Sequence, residues 1–199
     1  MIAIDGPAGS GKSTVARAVA ARLGLPYLDT GAMYRSVAWA ALRDGVDVTD
    51  GAALADVARR IDIALTPHLT VDGVDVTAAI REPRVNTAVS AVAANPEVRA
   101  EMVKRQRAWA TANAGNGVVE GRDIGTVVFP DADVKVFLTA SEPVRAARRK
   151  EEADIARRDR LDSTRVASPL VKADDAVEVD TTATGVDAVV DRVLALVAR

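Results

Sequence analysis

The segment "MIAIDGPAGSGKSTVARAVAARLG" constrains the fold more than any other part of the chain. "IAID" is a short apolar run that stops at a glycine, the pattern of a strand buried on both faces. Lys12–Leu23 carries apolar residues at helical spacing and stops at Gly24, so it reads as a helix with a glycine terminator. Between them, Gly6–Thr14 satisfies G-x-x-x-x-G-K-[ST] in full and in the context the motif requires, after a strand and into a helix. Glycines at these positions let backbone N–H groups turn inward around a phosphate, assisted by the helix N-terminus. Lys12 is then expected to reach the β- and γ-phosphates, and Ser13 to offer a hydroxyl to Mg²⁺.

The rest of the chain supports an α/β architecture. Helical patterns are expected over Ala32–Arg43, Ala52–Arg60, Glu82–Ala94, Pro96–Ala114, Glu142–Arg160 and Val186–Ala198. "GVVEG", "VKVFLTA" and "AVEVDTT" read as further strands. Ile61–Val76 changes period, and "LTVDGVDV" has a D-G turn, so this stretch is expected to be a small antiparallel insert. Strands buried on both faces and separated by helices predict a parallel sheet with helices on either side. Ligands bind such sheets at the carboxyl ends of the strands. The loops after Asp5, around Glu120–Asp123 and after Thr139 all fall there.

Composition narrows the chemistry. The 199 residues are 49% hydrophobic, enough for a substantial core in one domain. Net charge is −2 and aromatic content 3%, which argues against a surface that coats nucleic acid or stacks bases. The basic residues of Arg145–Arg165 alternate with Glu151, Glu152, Asp154 and Asp159, as on a solvated helical face. The absence of cysteine removes disulfides, thiolate metal sites and thiol catalysis. No run approaches the roughly 20 apolar residues of a membrane span. A soluble cytoplasmic monomer is expected, with no nucleic-acid or membrane partner. The single histidine, His68, lies in the insert's "TPHLT" turn and reads as structural.

Two further loops look built for anions. "LDTGAMYRS" (Leu28–Ser36) brings Thr30, Tyr34 and Arg35 to the start of the helix beyond the phosphate loop, where an arginine can clamp a second anion. "VVEGRDIGTVVFP" puts Arg122 and Asp123 directly after a buried strand at the ligand edge. A GTPase would carry N-K-x-D, and a motor ATPase a longer chain with a strand ending in Asp-Glu; neither is present. The chain has the size of a small kinase.

The blocks "DGPAGSGKST", "LDTGAMYR", "VSAVAANPEVR", "VVEGRDIGTVVFPDADVKVFLTA" and "RDRLDSTRVASPL" together resemble the bacterial cytidylate kinase family, over nearly the whole chain. The resemblance implies a P-loop kinase fold: a parallel β-sheet core flanked by helices, a CMP-binding lobe with a small antiparallel insert, and a short lid. The implied division is a core of residues 1–30, 116–145 and 166–199, a monophosphate lobe of 31–115 with the insert at 61–76, and a lid of 146–165. The implied reaction moves the γ-phosphoryl group of ATP, with Mg²⁺, to CMP or dCMP.

The same resemblance assigns residues. Gly6, Pro7, Ala8, Gly9, Ser10, Gly11, Lys12, Ser13 and Thr14 hold ATP, with Arg148 and Arg149 above it from the lid. Arg35 and Arg122 bind the α-phosphate of CMP. Ser90, Arg99 and Asp123 hydrogen-bond the cytosine edge, Tyr34 lines the nucleoside pocket, and Thr30 joins the substrate contacts. Arg158 and Asp162 contact the sugar, and Arg165 lies near the phosphates. Lys12, Arg122, Arg158 and Arg165 are thus the expected catalytic set. The join Glu151–Ala156 is shorter than the family's usual lid segment. Two alternatives stay open: a kinase of the same fold for another monophosphate such as UMP, and a nucleotide-binding regulatory module without turnover.

Overall fold

The computed structural model describes residues 1–65, 68–149, 161 and 168–198. They form two units, one of residues 1–29 and 109–199 and one of residues 30–108.

The first unit is built on a five-stranded, wholly parallel sheet. Its strands are β1 (Ile2–Asp5), β2 (Tyr27–Asp29), β6 (Val118–Glu120), β7 (Val134–Thr139) and β8 (Val177–Asp180), in the spatial order β2-β6-β1-β7-β8. Parallel neighbours need crossovers; helices α1 (Lys12–Leu23) and α6 (Glu142–Arg149) belong to them, and α7 (Val186–Val197) follows the last strand, β8. β1 is central and buried along its whole length. Register places Ile4 opposite Glu120 on β6 and Asp5 opposite Phe137 on β7. The chain therefore leaves β1 between the ends of two flanking strands.

The core of this unit follows from two helical stripes. Val15, Ala16, Val19 and Ala20 of α1 lie one and four residues apart, as do Val189, Val190 and Val193 of α7, so each set shares one helix face. They bury against Ile2, Ile4, Val118, Val136, Leu138 and Val179 of the sheet. Small and β-branched residues suit this contact, because they let the helices lie close to a pleated surface.

The second unit contains α2 (Thr30–Arg43), α3 (Gly51–Arg60), a three-stranded antiparallel sheet of β3 (Ile63–Ala64), β4 (Thr70–Val71) and β5 (Val74–Asp75), and α4 (Pro83–Ala94). The long helix α5 (Pro96–Ala112) begins in this unit and ends in the other. Asp72 and Gly73 both have positive φ, 51° and 79°, as the two-residue turn between β4 and β5 requires. Asp50 caps α3 by accepting from the Ala53 N–H at 3.0 Å. Asn95 caps α5 from the N–H groups of Glu97 and Val98, at 2.9 and 3.1 Å. Met33 and Val37 of α2 and Val85, Val89 and Val92 of α4 are buried, and α2 packs on α4.

The parallel sheet, flanking helices and small antiparallel insert agree with the sequence reading. Three details differ. Helix α2 begins at Thr30 rather than Ala32, directly after β2, so Thr30 and Gly31 are helical and not loop. Residues Ile124–Val128, expected as a loop, form a single wide helical turn closed by Phe129 N–H donating to the Ile124 carbonyl at 2.7 Å. Of the helix expected over Glu142–Arg160, Glu142–Arg149 is described and the remainder lies outside the described residues. Leu138, fully buried near the carboxyl end of β7, tests the core. Leu138→Ala is expected to cost about 2–5 kcal/mol through lost burial and a residual cavity, measured by urea unfolding.

Candidate active site

Three chain segments leave the sheet at its carboxyl edge and build the first part of the site. The loop after β1 is shaped by what crowds it. Gly6 has φ +146°, and a Cβ there would lie 2.1 Å from the Leu138 carbonyl oxygen of β7. Gly9 has φ +77°, and a Cβ would come within 2.8 Å of the Arg145 carbonyl oxygen. No other residue fits either place. Gly11, also at positive φ, precedes α1 without any side-chain cap, so backbone N–H groups at the start of that helix remain directed at the loop.

Lys12 is buried, and its ammonium lies within the loop, donating to the Pro7 carbonyl at 2.7 Å and reaching Ser10 Oγ at 3.5 Å. The loop is braced from α6 and β8. Arg145 is buried and donates to the Ala8 carbonyl at 3.1 Å and the Ala140 carbonyl at 3.0 Å. Arg148 donates to Thr181 Oγ1 at 2.9 Å, to the Thr181 carbonyl at 2.7 Å and to the Gly9 carbonyl at 3.4 Å. The structure thus brings Arg148 to the phosphate loop.

Beside the loop, β6 ends in Glu120. Ser13 Oγ donates to Glu120 Oε2 at 3.0 Å, and the Tyr27 hydroxyl donates to Oε1. Burial, with Asp29 nearby, pushes the Glu120 carboxyl above its usual range, while Lys12 and the two hydroxyl donors pull the other way. Burial and Glu120 together push the Tyr27 phenol up, which keeps it a donor. Sequence reasoning missed Glu120 as a site residue. The available signal was its place as the last residue of an apolar strand, two residues before the Arg122–Asp123 pair it did single out.

Asp5, also missed, ends β1. Its carboxylate accepts from the backbone N–H of Ile124 through Oδ1 at 2.8 Å and of Gly125 through Oδ2 at 2.7 Å. Burial raises its pKa to about 6; the two backbone donors oppose the shift, as does Lys12, while Asp123 adds to it. Asp123 is itself buried, and Arg122 is half-buried with a guanidinium contact to the Gly121 carbonyl at 3.3 Å.

In the second unit, Thr30 is buried at the start of α2 and Ser90 is half-buried on α4. Tyr34 and Arg99 are both buried and stacked, the guanidinium carbon 5.6 Å from the ring centroid. Arg99 also donates to the Ala93 carbonyl at 3.3 Å. Arg35 is tied down too, by Asn86 Oδ1 and by the Ile80 carbonyl at 3.0 Å. Arg158, Asp162 and Arg165 lie outside the described residues, as does the side chain of Arg149.

Comparison with known proteins bears on this arrangement. A family model described as cytidylate kinase matches residues 2–199. A cytidylate kinase of Streptomyces avermitilis is 51% identical, covering 99% of this chain and 92% of that protein. A cytidylate kinase of Geobacillus kaustophilus is also 51% identical, over 98% of this chain and 95% of its own. A bifunctional pantoate ligase/cytidylate kinase of Synechococcus sp. strain CC9902 is 48% identical over 98% of this chain, which spans 44% of that longer protein. Among solved structures, a sugar kinase from Janibacter sp. HTCC2649 shares the fold, with a TM-score of 0.54 at 16% identity over 99% of this chain and 93% of that one.

The raised pKa of Asp5 has a measurable consequence. Between the ordinary carboxyl value of 3.8 and about 6, the folded chain holds a proton at Asp5 that the unfolded chain has released. By linkage, this group's contribution to stability therefore falls as pH rises through that window. The neighbours that set the window are Lys12, Asp123 and the two backbone donors. Asp5→Asn removes the titration, so its stability relative to wild type is expected to improve steadily from about pH 4 to pH 6, read from urea unfolding. A difference that stays flat across the window would show that Asp5 titrates normally.

Proposed function

The chain belongs to the cytidylate kinase family, and from that membership and its phosphate loop we propose that it phosphorylates CMP and dCMP with ATP, giving CDP or dCDP and ADP. The observation that carries this reading is the parallel pairing of β1 with β6. It sets the glycine loop of Gly6–Thr14 beside Glu120–Asp123, the start of "EGRDIGTVVFPDA" in one of the blocks that carry the resemblance.

In the reaction an oxygen of the CMP phosphate attacks the γ-phosphorus of ATP, and the bond from that phosphorus to the bridging oxygen of ADP breaks. The attacking oxygen is already anionic near neutral pH, so no strong general base is needed. Positioning and neutralisation of charge carry the chemistry. Lys12 and the loop N–H groups are well suited to the ATP phosphates, with Arg148, and with Arg149 by resemblance, on the donor side. Ser13 Oγ and Glu120 form a pair of hard oxygen donors 3.0 Å apart, a fit for Mg²⁺, which keeps waters and takes one or two protein oxygens. When bound, that ion would draw charge from the phosphate oxygens; Ser13 and Glu120 are the residues that would hold it.

On the acceptor side, Arg35 and Arg122 suit the CMP phosphate. Arg99 stacked on Tyr34 is a rigid donor for a cytosine acceptor, with Ser90 and Asp123 available to accept from the exocyclic amine. Thr30 completes the proposed substrate contacts, together with Arg158 and Asp162 for the sugar; Arg165 completes the proposed catalytic set. The second unit corresponds in this reading to the monophosphate lobe, and the chain is proposed to act as a monomer without nucleic-acid partners. Among the described residues no helix is long and apolar enough to cross a membrane.

The test is ADP formation from ATP with CMP, dCMP, UMP and AMP offered in turn. CMP and dCMP are expected to be the preferred acceptors; equal or better turnover of UMP would transfer the reading to a different base. Lys12→Ala should lower kcat by more than about tenfold, equivalent to 1.4 kcal/mol of transition-state stabilisation, with the fold intact. Asp123→Asn can donate as well as accept, so it should narrow the CMP-to-UMP ratio of kcat/KM by roughly the cost of one mispaired buried group, about 1–3 kcal/mol. A fall by the same factor for both bases would remove Asp123 from base reading.

A further inference from the structure

The buried carboxylate of Asp5 precedes the phosphate loop but hydrogen-bonds to the turn that follows β6. Its two oxygens each take one backbone N–H from Ile124 and Gly125, at 2.8 and 2.7 Å. These are the first N–H groups of the wide turn Ile124–Val128, where i→i+5 closure leaves them without intrahelical acceptors. The residue at the cap position of that turn, Asp123, makes no side-chain cap hydrogen bond to it. A carboxylate from a neighbouring strand does so instead.

Immediately upstream, the Gly121 N–H donates to the carbonyl of Ile4 at 3.0 Å. The pair Arg122–Asp123 is therefore pinned to the end of β1 on both sides, by Ile4 before it and by Asp5 after it. The fit is close, since a Cβ at Gly125 would lie 3.2 Å from Lys135 Cδ and 3.4 Å from Asp5 Oδ2.

We propose that Asp5 is a positioning residue for the acceptor nucleotide, acting through the backbone of Ile124 and Gly125 to hold Arg122 and Asp123 in their binding orientation. The inference rests on the kinase reading above and adds a residue to it. It separates Asp5 from its chain neighbours. Gly6–Thr14 serve the donor, while Asp5, one residue earlier, serves the acceptor.

The test is steady-state kinetics of wild type, Asp5→Asn, and Asp123→Ala with and without Asp5→Asn, above pH 7, varying CMP and ATP separately. Asparagine keeps one acceptor oxygen and turns an NH₂ group against the second N–H, leaving buried donors unpaired. The KM for CMP is expected to rise roughly tenfold or more, with the KM for ATP within about twofold of wild type. In the Asp123→Ala background, Asp5→Asn should add much less than its own single effect. An ATP KM that rises as much as the CMP KM, no change in either, or full additivity would overturn the proposal. Amide exchange in the wild-type enzyme gives a readout independent of how the variant folds. The Ile124 and Gly125 amides are expected to be protected like those of β1, and exchange at the rate of an open loop would overturn it. Absence of wild-type turnover with CMP would sink the kinase reading and this inference together, whereas turnover with an unmoved CMP KM in Asp5→Asn would sink the inference alone.

Discussion

The close approach of backbone to backbone at the end of β1 is the constraint on which the first unit's site depends. The chain must leave a central strand between two neighbours and turn immediately. At Gly6 there is no room for even a methyl group against the Leu138 carbonyl. That crowding sends the loop over the sheet edge and into α1, and it fixes where inward-facing N–H groups can be. Asp5, one residue earlier, is buried as well. Its carboxylate finds acceptable partners only in the free N–H groups of the next loop, which is how one strand end comes to organise two loops at once.

Much of this was legible in the sequence because it depends on local rules. The glycine loop, the stop at Gly24, the Asp72–Gly73 turn and the apolar stripes of the first and last helices each follow from spacing and backbone preference within a few residues. The parallel sheet followed from strands with no polar face. What was not legible depends on partners distant in sequence. Ile124–Val128 reads as an irregular apolar loop, and becomes a helical turn because the Asp5 carboxylate, 119 residues away, supplies its missing acceptor. Glu120 reads as the polar end of a strand; its meeting with Ser13 and Tyr27 requires the strand order, which no local pattern states. Arg35 reads as an anion clamp at the start of a helix, and no local pattern states that Asn86 and the Ile80 carbonyl are placed against it.

The charges around the loop have a common logic. Two buried carboxylates, Asp5 and Glu120, both have raised pKa values, both chiefly from burial, and both are eased by the same cation, Lys12. The loop supplies neutral N–H dipoles, so Lys12 is the charge shared between those carboxylates and any phosphate that enters. A phosphate drawing the ammonium toward itself would weaken the relief of both acids and favour their protonation or a compensating cation. At Glu120, where Ser13 offers a second oxygen 3.0 Å away, a divalent cation arriving with the nucleotide would restore the balance. At Asp5 no such oxygen pair is present among the described contacts, and the two backbone donors must suffice. Those donors tie the carboxylate to the neighbouring loop. Donor and acceptor loops are thus coupled electrostatically through Lys12 and mechanically through Asp5, within two adjacent strands of one sheet.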